Sequence, residues 1–206
     1  MKVVEMTPSK HLPEWYYIVL EDETRLRVNI ALIADYGLFS GRDLSEEELE
    51  KLRAAAENMN AKARALRIMG SRNMSRKELT DRLIRKGERE ESANAAVDWL
   101  EDIGAVNDQE YAGLIVRHYA AKGYGAGRIK DELYRRGIDR DIWDEALSHL
   151  PEMDERLDRL IASKLRGRRP EKEELKKVSD YLYRRGFSWE EIQSAIRRYE
   201  ESIEEA

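Results

Sequence analysis

The chain has 206 residues, enough for one large domain or several small units. It contains no cysteine, which excludes disulfide scaffolds, thiolate metal sites and cysteine nucleophiles. Charged residues make up 38% of it, yet 37 Lys and Arg nearly balance 42 Asp and Glu, and the net charge of -5 argues against a generally basic nucleic-acid binder. No uncharged run approaches the roughly 20 residues that a membrane helix needs. Charges at Lys2 and Glu5 come too early for a signal-peptide core, so the expectation is a soluble, cytoplasmic protein.

The beginning of the chain leans towards β-structure. Trp15-Tyr16-Tyr17-Ile18-Val19-Leu20 is aromatic and β-branched, and Arg25-Leu26-Arg27-Val28-Asn29-Ile30 alternates polar with apolar residues. With a turn at 21–24, these two runs predict a small hairpin. No proline lies between residues 14 and 150, and helical signals begin at Ser45-Glu46-Glu47-Glu48, a capping box. Leu49, Leu52, Ala56, Met59, Ala63 and Leu66 then predict one apolar stripe along a helix.

From there the sequence repeats with a period near 50 residues. Gly87, Gly137 and Gly186 each follow two basic residues, Arg85-Lys86, Arg135-Arg136 and Arg184-Arg185. A leucine stands four residues before each glycine (Leu83, Leu133, Leu182), and Leu79, Ile129 or Val178 stands eight before. Beyond the glycine, Ala93, Trp143 and Ile192 correspond, as do Ala96, Ala146 and Ala195, then Val97, Leu147 and Ile196, then Leu100, Leu150 and Tyr199. Upstream, Leu66, Val116 and Leu165 align, each followed by arginine.

One repeat therefore reads as three helices, the second ended by the glycine. A unit of this size is near the lower limit of independent stability, so neighbours are expected to stack. The predicted fold is mainly α: three tandem three-helix repeats in an elongated, curved array after a small β-hairpin. The expected divisions are 1–44, 45–106, 107–150 and 151–206. Ser75 with Glu78 and Ser188 with Glu191 read as further capping boxes, and Pro151 and Pro170 suit first helical turns.

The chemistry-bearing residues are few. The basic pairs before each glycine suit the negative end of a helix dipole, and that alone explains them, although stacked repeats would also set them in a row. Gly123-Tyr124-Gly125-Ala126-Gly127-Arg128 looks like a nucleotide loop, but it lacks a preceding strand and the third glycine where Arg128 stands. It reads as a flexible connection between helices, with Tyr124 either packed or pointing outward. His11, His118 and His149 share no metal spacing, so no metal or cofactor is expected. Arg168 and Arg169, with Lys164, Arg166 and Lys172, form the densest basic cluster, readable as a solvated loop or as a contact for an acidic surface or phosphate.

The segment Asn107-Asp108-Gln109-Glu110-Tyr111-Ala112, followed by Arg117-His118-Tyr119-Ala120-Ala121-Lys122-Gly123-Tyr124-Gly125 and by Arg128-Ile129-Lys130-Asp131-Glu132-Leu133-Tyr134-Arg135-Arg136-Gly137-Ile138, resembles the central signature of RecX proteins. Ala65-Leu66 and Ser75-Arg76-Lys77-Glu78-Leu79 are similar to that family's first module, and the likeness spans about residues 57 to 200. The resemblance implies a non-catalytic regulator that binds RecA filaments on single-stranded DNA in their helical groove, inhibiting ATPase, strand exchange and co-protease activity. No cofactor, no membrane and a monomeric state are expected, and the family signature together with charge makes Arg117, Tyr124, Arg128, Lys130, Arg135, Arg136, Arg168 and Arg169 the candidate partner contacts. The alternative is a helical-repeat protein that binds DNA directly. An enzyme has no supporting constellation.

Overall fold

The computed structural model describes residues 1–150, 153–166 and 168–204. These residues form a mainly helical fold of three strands and ten helices. The chain divides into two compact units, Met1–Val106 and Asn107–Ala206.

The first unit opens with an antiparallel sheet in the order β1 (Val3–Pro8), β2 (Trp15–Leu20), β3 (Arg25–Asn29). The sequence predicts only the hairpin of β2 and β3. The first strand escapes notice because a register shift between Val3 and Glu5 breaks its alternation. The second predicted run also ends one residue early. Asn29 accepts the Leu32 amide at 3.0 Å and starts the short helix α1 (Ile30–Asp35). Ile18, Leu20, Val28 and Val3 on the inner sheet face pack with Leu32, Leu38, Leu44 and the start of α2 (Glu46–Met69).

Helix α2 serves two cores. Leu49, Leu52 and Ala56 lie under the sheet, whereas Ala61, Ala65 and Ile68 belong to the first helical module. At 100° per residue these two sets lie roughly 150° apart around the helix. The single stripe predicted from the sequence is therefore corrected: the buried face changes sides after Met59, and Leu66 is left half-exposed at 48%. Alanines on the second face let α3 (Arg76–Arg85) and α4 (Glu90–Asp102) approach closely, with Ala93 and Ala96 answering Ala61 and Ala65.

The second unit holds the other two modules, α5 (Asp108–Ala121), α6 (Ala126–Arg135) and α7 (Arg140–Ser148), then α8 (Asp154–Leu165), α9 (Lys172–Arg184) and α10 (Trp189–Glu204). In every module the middle helix ends in the same way. Gly87, Gly137 and Gly186 have φ of 91°, 69° and 89°, the left-handed conformation that glycine adopts without a Cβ clash. The next residue's amide returns to the carbonyl of the leucine four before the glycine: Glu88 to Leu83 at 3.1 Å, Ile138 to Leu133 at 3.1 Å, Phe187 to Leu182 at 3.3 Å. This Schellman closure wants an apolar contact between the same two residues. Ile138 and Phe187 supply it from the core, while the first module has Glu88, paired with Arg64 at 2.7 Å. All three leucines are fully buried.

The capping boxes at Ser45, Ser75 and Ser188 all form. Pro170 does not enter a first turn: the N-cap of α9 is Glu171, so the proline stands just before it, where its fixed φ leads the chain into the cap. Pro151 lies outside the described residues.

The glycine-rich stretch after α5 is no flexible link. The Gly125 amide donates to the Arg185 carbonyl and the Gly127 amide to the Gly186 carbonyl, both at 2.9 Å, so the start of α6 docks backbone to backbone on the turn after α9. A Cβ on Gly125 would sit 2.5 Å from the Gly186 oxygen, and one on Gly186 would sit 2.1 Å from the Arg128 nitrogen. Two arginines lock the seam. Arg185 donates to the Lys122 carbonyl at 2.9 Å and stacks 4.7 Å over the Tyr124 ring, and Arg156 donates to the Ala121 carbonyl. Carbonyls that the end of α5 leaves open thus acquire donors from the third module.

The seam and the cores predict separable mutational effects. Gly125 has an ordinary φ of -79°, so Gly125→Ala is a purely steric test, expected to cost about 1–3 kcal/mol in thermal or urea unfolding. Gly70→Ala, with φ of -61° and no atom nearer than 3.6 Å, should be neutral or stabilising in the same assay. Leu133→Ala should cost about 2–5 kcal/mol through lost burial and a residual cavity, a loss that urea denaturation measures.

Candidate functional site

The seam decides where the candidate residues stand. Helix α6 buries Ile129, Glu132 and Leu133, and turns Arg128, Lys130, Asp131 and Tyr134 outward. Because Gly127 is held on Gly186, Arg128 and Lys130 are brought beside the end of α9, and they share a groove there with Asp131, Tyr183, Arg184 and Phe187. Arg128 is within 4.0 Å of the Asp131 carboxylate, at the outer limit of an ion pair. Among the described residues neither Lys130 nor Arg184 has an ion-pair partner, and the Tyr183 ring is 65% exposed. The groove joins two uncommitted cations to an open aromatic ring.

Arg135 and Arg136 converge on a different task. Both donate to the Glu132 carboxylate, each with a contact of 2.7 Å, and that carboxylate is almost fully buried. Arg136 also donates to the Tyr111 hydroxyl and lies 5.6 Å over its ring. Burial pushes the Glu132 carboxyl up, but hydrogen bonds from Arg135 and Arg136, with the Arg136 charge and the Tyr119 hydroxyl, outweigh it and hold the group below the ordinary glutamate range. Arg135 keeps an exposed side chain, whereas Arg136 is largely covered.

The remaining candidates stand apart. Tyr124 is half-buried in the seam, its ring 5.5 Å from that of Tyr119 and covered by Arg185. Arg117 projects from α5 into a separate groove with Leu114, Glu145 and His149. Arg168 and Arg169 lie in the α8–α9 connection; Arg168 donates to the Glu174 carboxylate and Arg169 stands 3.9 Å from Glu204. The eight candidates are thus spread over several places, and only Arg128 and Lys130 share an open groove. Sequence reasoning named Arg184 only within the basic pair before Gly186 and missed Tyr183, although the repeat carries a signal for it. Three residues before each glycine stand Ile84, Tyr134 and Tyr183, which are 41%, 69% and 65% exposed. A large side chain left in water at one repeat position marks a surface.

Tandem three-helix modules define a helical-repeat protein. Three family models match it: the first three-helix domain of RecX over residues 61–100, the second over 107–147 and the third over 152–196. A regulatory protein RecX of Xanthomonas citri is 35% identical over 136 residues, covering 65% of this chain and 84% of that protein. Another, from Clostridioides difficile, is 28% identical over 201 residues, covering 95% and 94%. A crystal structure of a regulatory protein RecX superposes with a TM-score of 0.75 at 22% identity, covering 95% of this chain and 98% of that one. The RecX of Lactobacillus salivarius gives 0.66 at 24% identity, covering 71% and 98%. The chain belongs to the RecX family, whose members are regulatory and non-catalytic. Among the described residues no helix is long and apolar enough to cross a membrane.

The Glu132 cluster makes a pH prediction. A carboxyl held below its unfolded value of about 4.5 stabilises the fold above that value, and the contribution fades as pH falls through the folded pKa. Glu132→Gln should therefore cost about 1.5–3 kcal/mol at pH 7 and progressively less in acid. Urea midpoints for both proteins between pH 7 and pH 3 should converge.

Proposed function

We propose that this chain is a modulator of a RecA-type recombinase, acting on its filament on single-stranded DNA by lying in the helical groove and suppressing ATP hydrolysis, strand exchange and co-protease activity in DNA repair, recombination and the SOS response. It works as a monomer in the cytoplasm, and its divisions are the N-terminal segment 1–44 and modules at 45–106, 107–150 and 151–206. The observation that carries the reading is the α6–α9 groove, where Arg128, Lys130 and Arg184 stand beside the exposed Tyr183. Such a surface suits an acidic, partly apolar protein face: cations without local partners gain more from an incoming carboxylate than paired ones do, and an exposed tyrosine supplies contact area at small entropy cost.

The other cations rank below these. Arg117, Arg168 and Arg169 are accessible secondary contacts, and Arg135 keeps donors free while holding Glu132. Arg136 and Tyr124 support the surface from within the fold.

ATP hydrolysis by the cognate recombinase on single-stranded DNA tests the reading. The wild-type chain should inhibit it, and Arg128→Ala with Lys130→Ala should weaken inhibition about tenfold or more with an unchanged melting temperature. Undiminished inhibition by the double variant would remove this groove from the partner interface. No inhibition by the wild type would overturn the function itself.

A further inference from the structure

The sheet has a second face, opposite the one that packs on the start of α2. Strand register places Thr7, Tyr17 and Arg27 in one cross-strand row, Glu5, Val19 and Arg25 in the next, and Trp15 opposite Asn29. These side chains point away from the inner core, which takes the alternate residues Ile18, Leu20 and Val28. The outward face is thus built around Trp15, Tyr17 and Val19, flanked on β3 by two arginines. Tyr17 is 41% exposed. Solvent-facing strands more often carry short polar side chains, so aromatic rings here need a reason.

Their arrangement narrows the reason. Trp15 and Tyr17 are two residues apart on one strand, about 7 Å along it, close to the spacing of neighbouring bases in an extended nucleic-acid strand. The Arg27 guanidinium lies 4.8 Å over the Trp15 ring, and Asn60 of α2 holds both its Nε, at 2.5 Å, and its carbonyl, at 3.1 Å. A guanidinium fixed in this way presents a second flat face beside the tyrosine. Arg25 is exposed and has no ion-pair partner among the described residues, leaving its donors for a phosphate. Flat rings at base spacing beside one stacked and one free guanidinium group are the chemistry of a platform for unpaired bases.

We propose that the outer face of the N-terminal sheet binds single-stranded DNA, with bases stacking on Tyr17 and on the Trp15–Arg27 pair and the backbone on Arg25. The choice of DNA over RNA rests on the proposed action at a recombinase filament; the platform itself does not. Binding needs no base-edge readout, so it should tolerate any sequence, and a single phosphate-bound cation gives a shallow salt dependence, with a logarithmic slope of about -0.7.

Fluorescence anisotropy of a labelled oligo(dT) with the full chain, without recombinase, tests this. The wild type should bind at low salt, Tyr17→Ala and Arg25→Ala should each weaken binding at least about fivefold, and Tyr17→Phe should retain it. The Arg128→Ala/Lys130→Ala variant should bind oligo(dT) as the wild type does. Absence of wild-type binding, or equal binding by Tyr17→Ala, would overturn the platform. Full binding by Tyr17→Leu would overturn it as well, because an apolar protein-docking face needs no aromatic ring. A duplex of equal length bound as tightly would exclude base stacking, and tighter binding of oligo(rU) would overturn the choice of DNA. Loss of recombinase inhibition would leave these outcomes untouched, so the two readings fail separately.

Discussion

The second unit depends on three places where there is no side chain. Gly125, Gly127 and Gly186 allow two stretches of backbone to meet at hydrogen-bonding distance, closer than any Cβ permits. The amides concerned belong to the first turn of α6, which has no carbonyls of its own to bond, and the acceptors belong to the turn that ends α9. Helix-end polar groups that would otherwise need water are satisfied across the module boundary. A contact of this kind is directional and short, unlike apolar packing, so it fixes the register of one module on the next. The α6–α9 groove depends on it, since Arg128 and Lys130 reach Tyr183 and Arg184 only because the backbone beneath them is held.

Within each module the recurring element is the closure of the middle helix. One leucine accepts the returning amide through its carbonyl and fills the core with its side chain, joining a backbone constraint to a packing constraint at one position. The first module departs at the following residue, where Glu88 with Arg64 stands in place of Ile138 and Phe187. That module has another source of stability. Its first helix is the far half of α2, whose near half is anchored under the sheet, so its helix is nucleated from outside the module.

The repeat, the capping boxes and the helix-ending glycines were legible in the sequence because each is a local signal with a fixed spacing. Leu83, Leu133 and Leu182 are recognisable from one period alone. What escaped was set by tertiary partners. The first strand needs β2 to make sense of a bulged Val3-Val4-Glu5, and α2 changes its buried face because two different cores lie on its two sides. Glycines 125 and 127 resembled a loose link because glycine's commonest use is freedom. Here they serve close approach, and the residue that shows it, Gly186, lies some 60 positions away. The candidate cations were legible by charge but not by employment, which depends on neighbours such as Glu132 that a charge count treats as one more acid.

That employment is the physical reason a chain of net charge -5 can present a basic surface. Arg185 and Arg156 are consumed at helix ends, Arg136 on a buried carboxylate, Arg64 on Glu88, and Arg198 on Asp158 and Asp154. Cations used in this way have already exchanged their hydration for internal partners and have less to gain from a ligand. Among the described residues Lys130, Arg184 and Arg25 have no ion-pair partner, and the first two share a groove with the exposed Tyr183. Binding strength in a mixed-charge protein follows this residue of unspent donors rather than the net charge, because the paired majority contributes little field beyond a Debye length of about 8 Å.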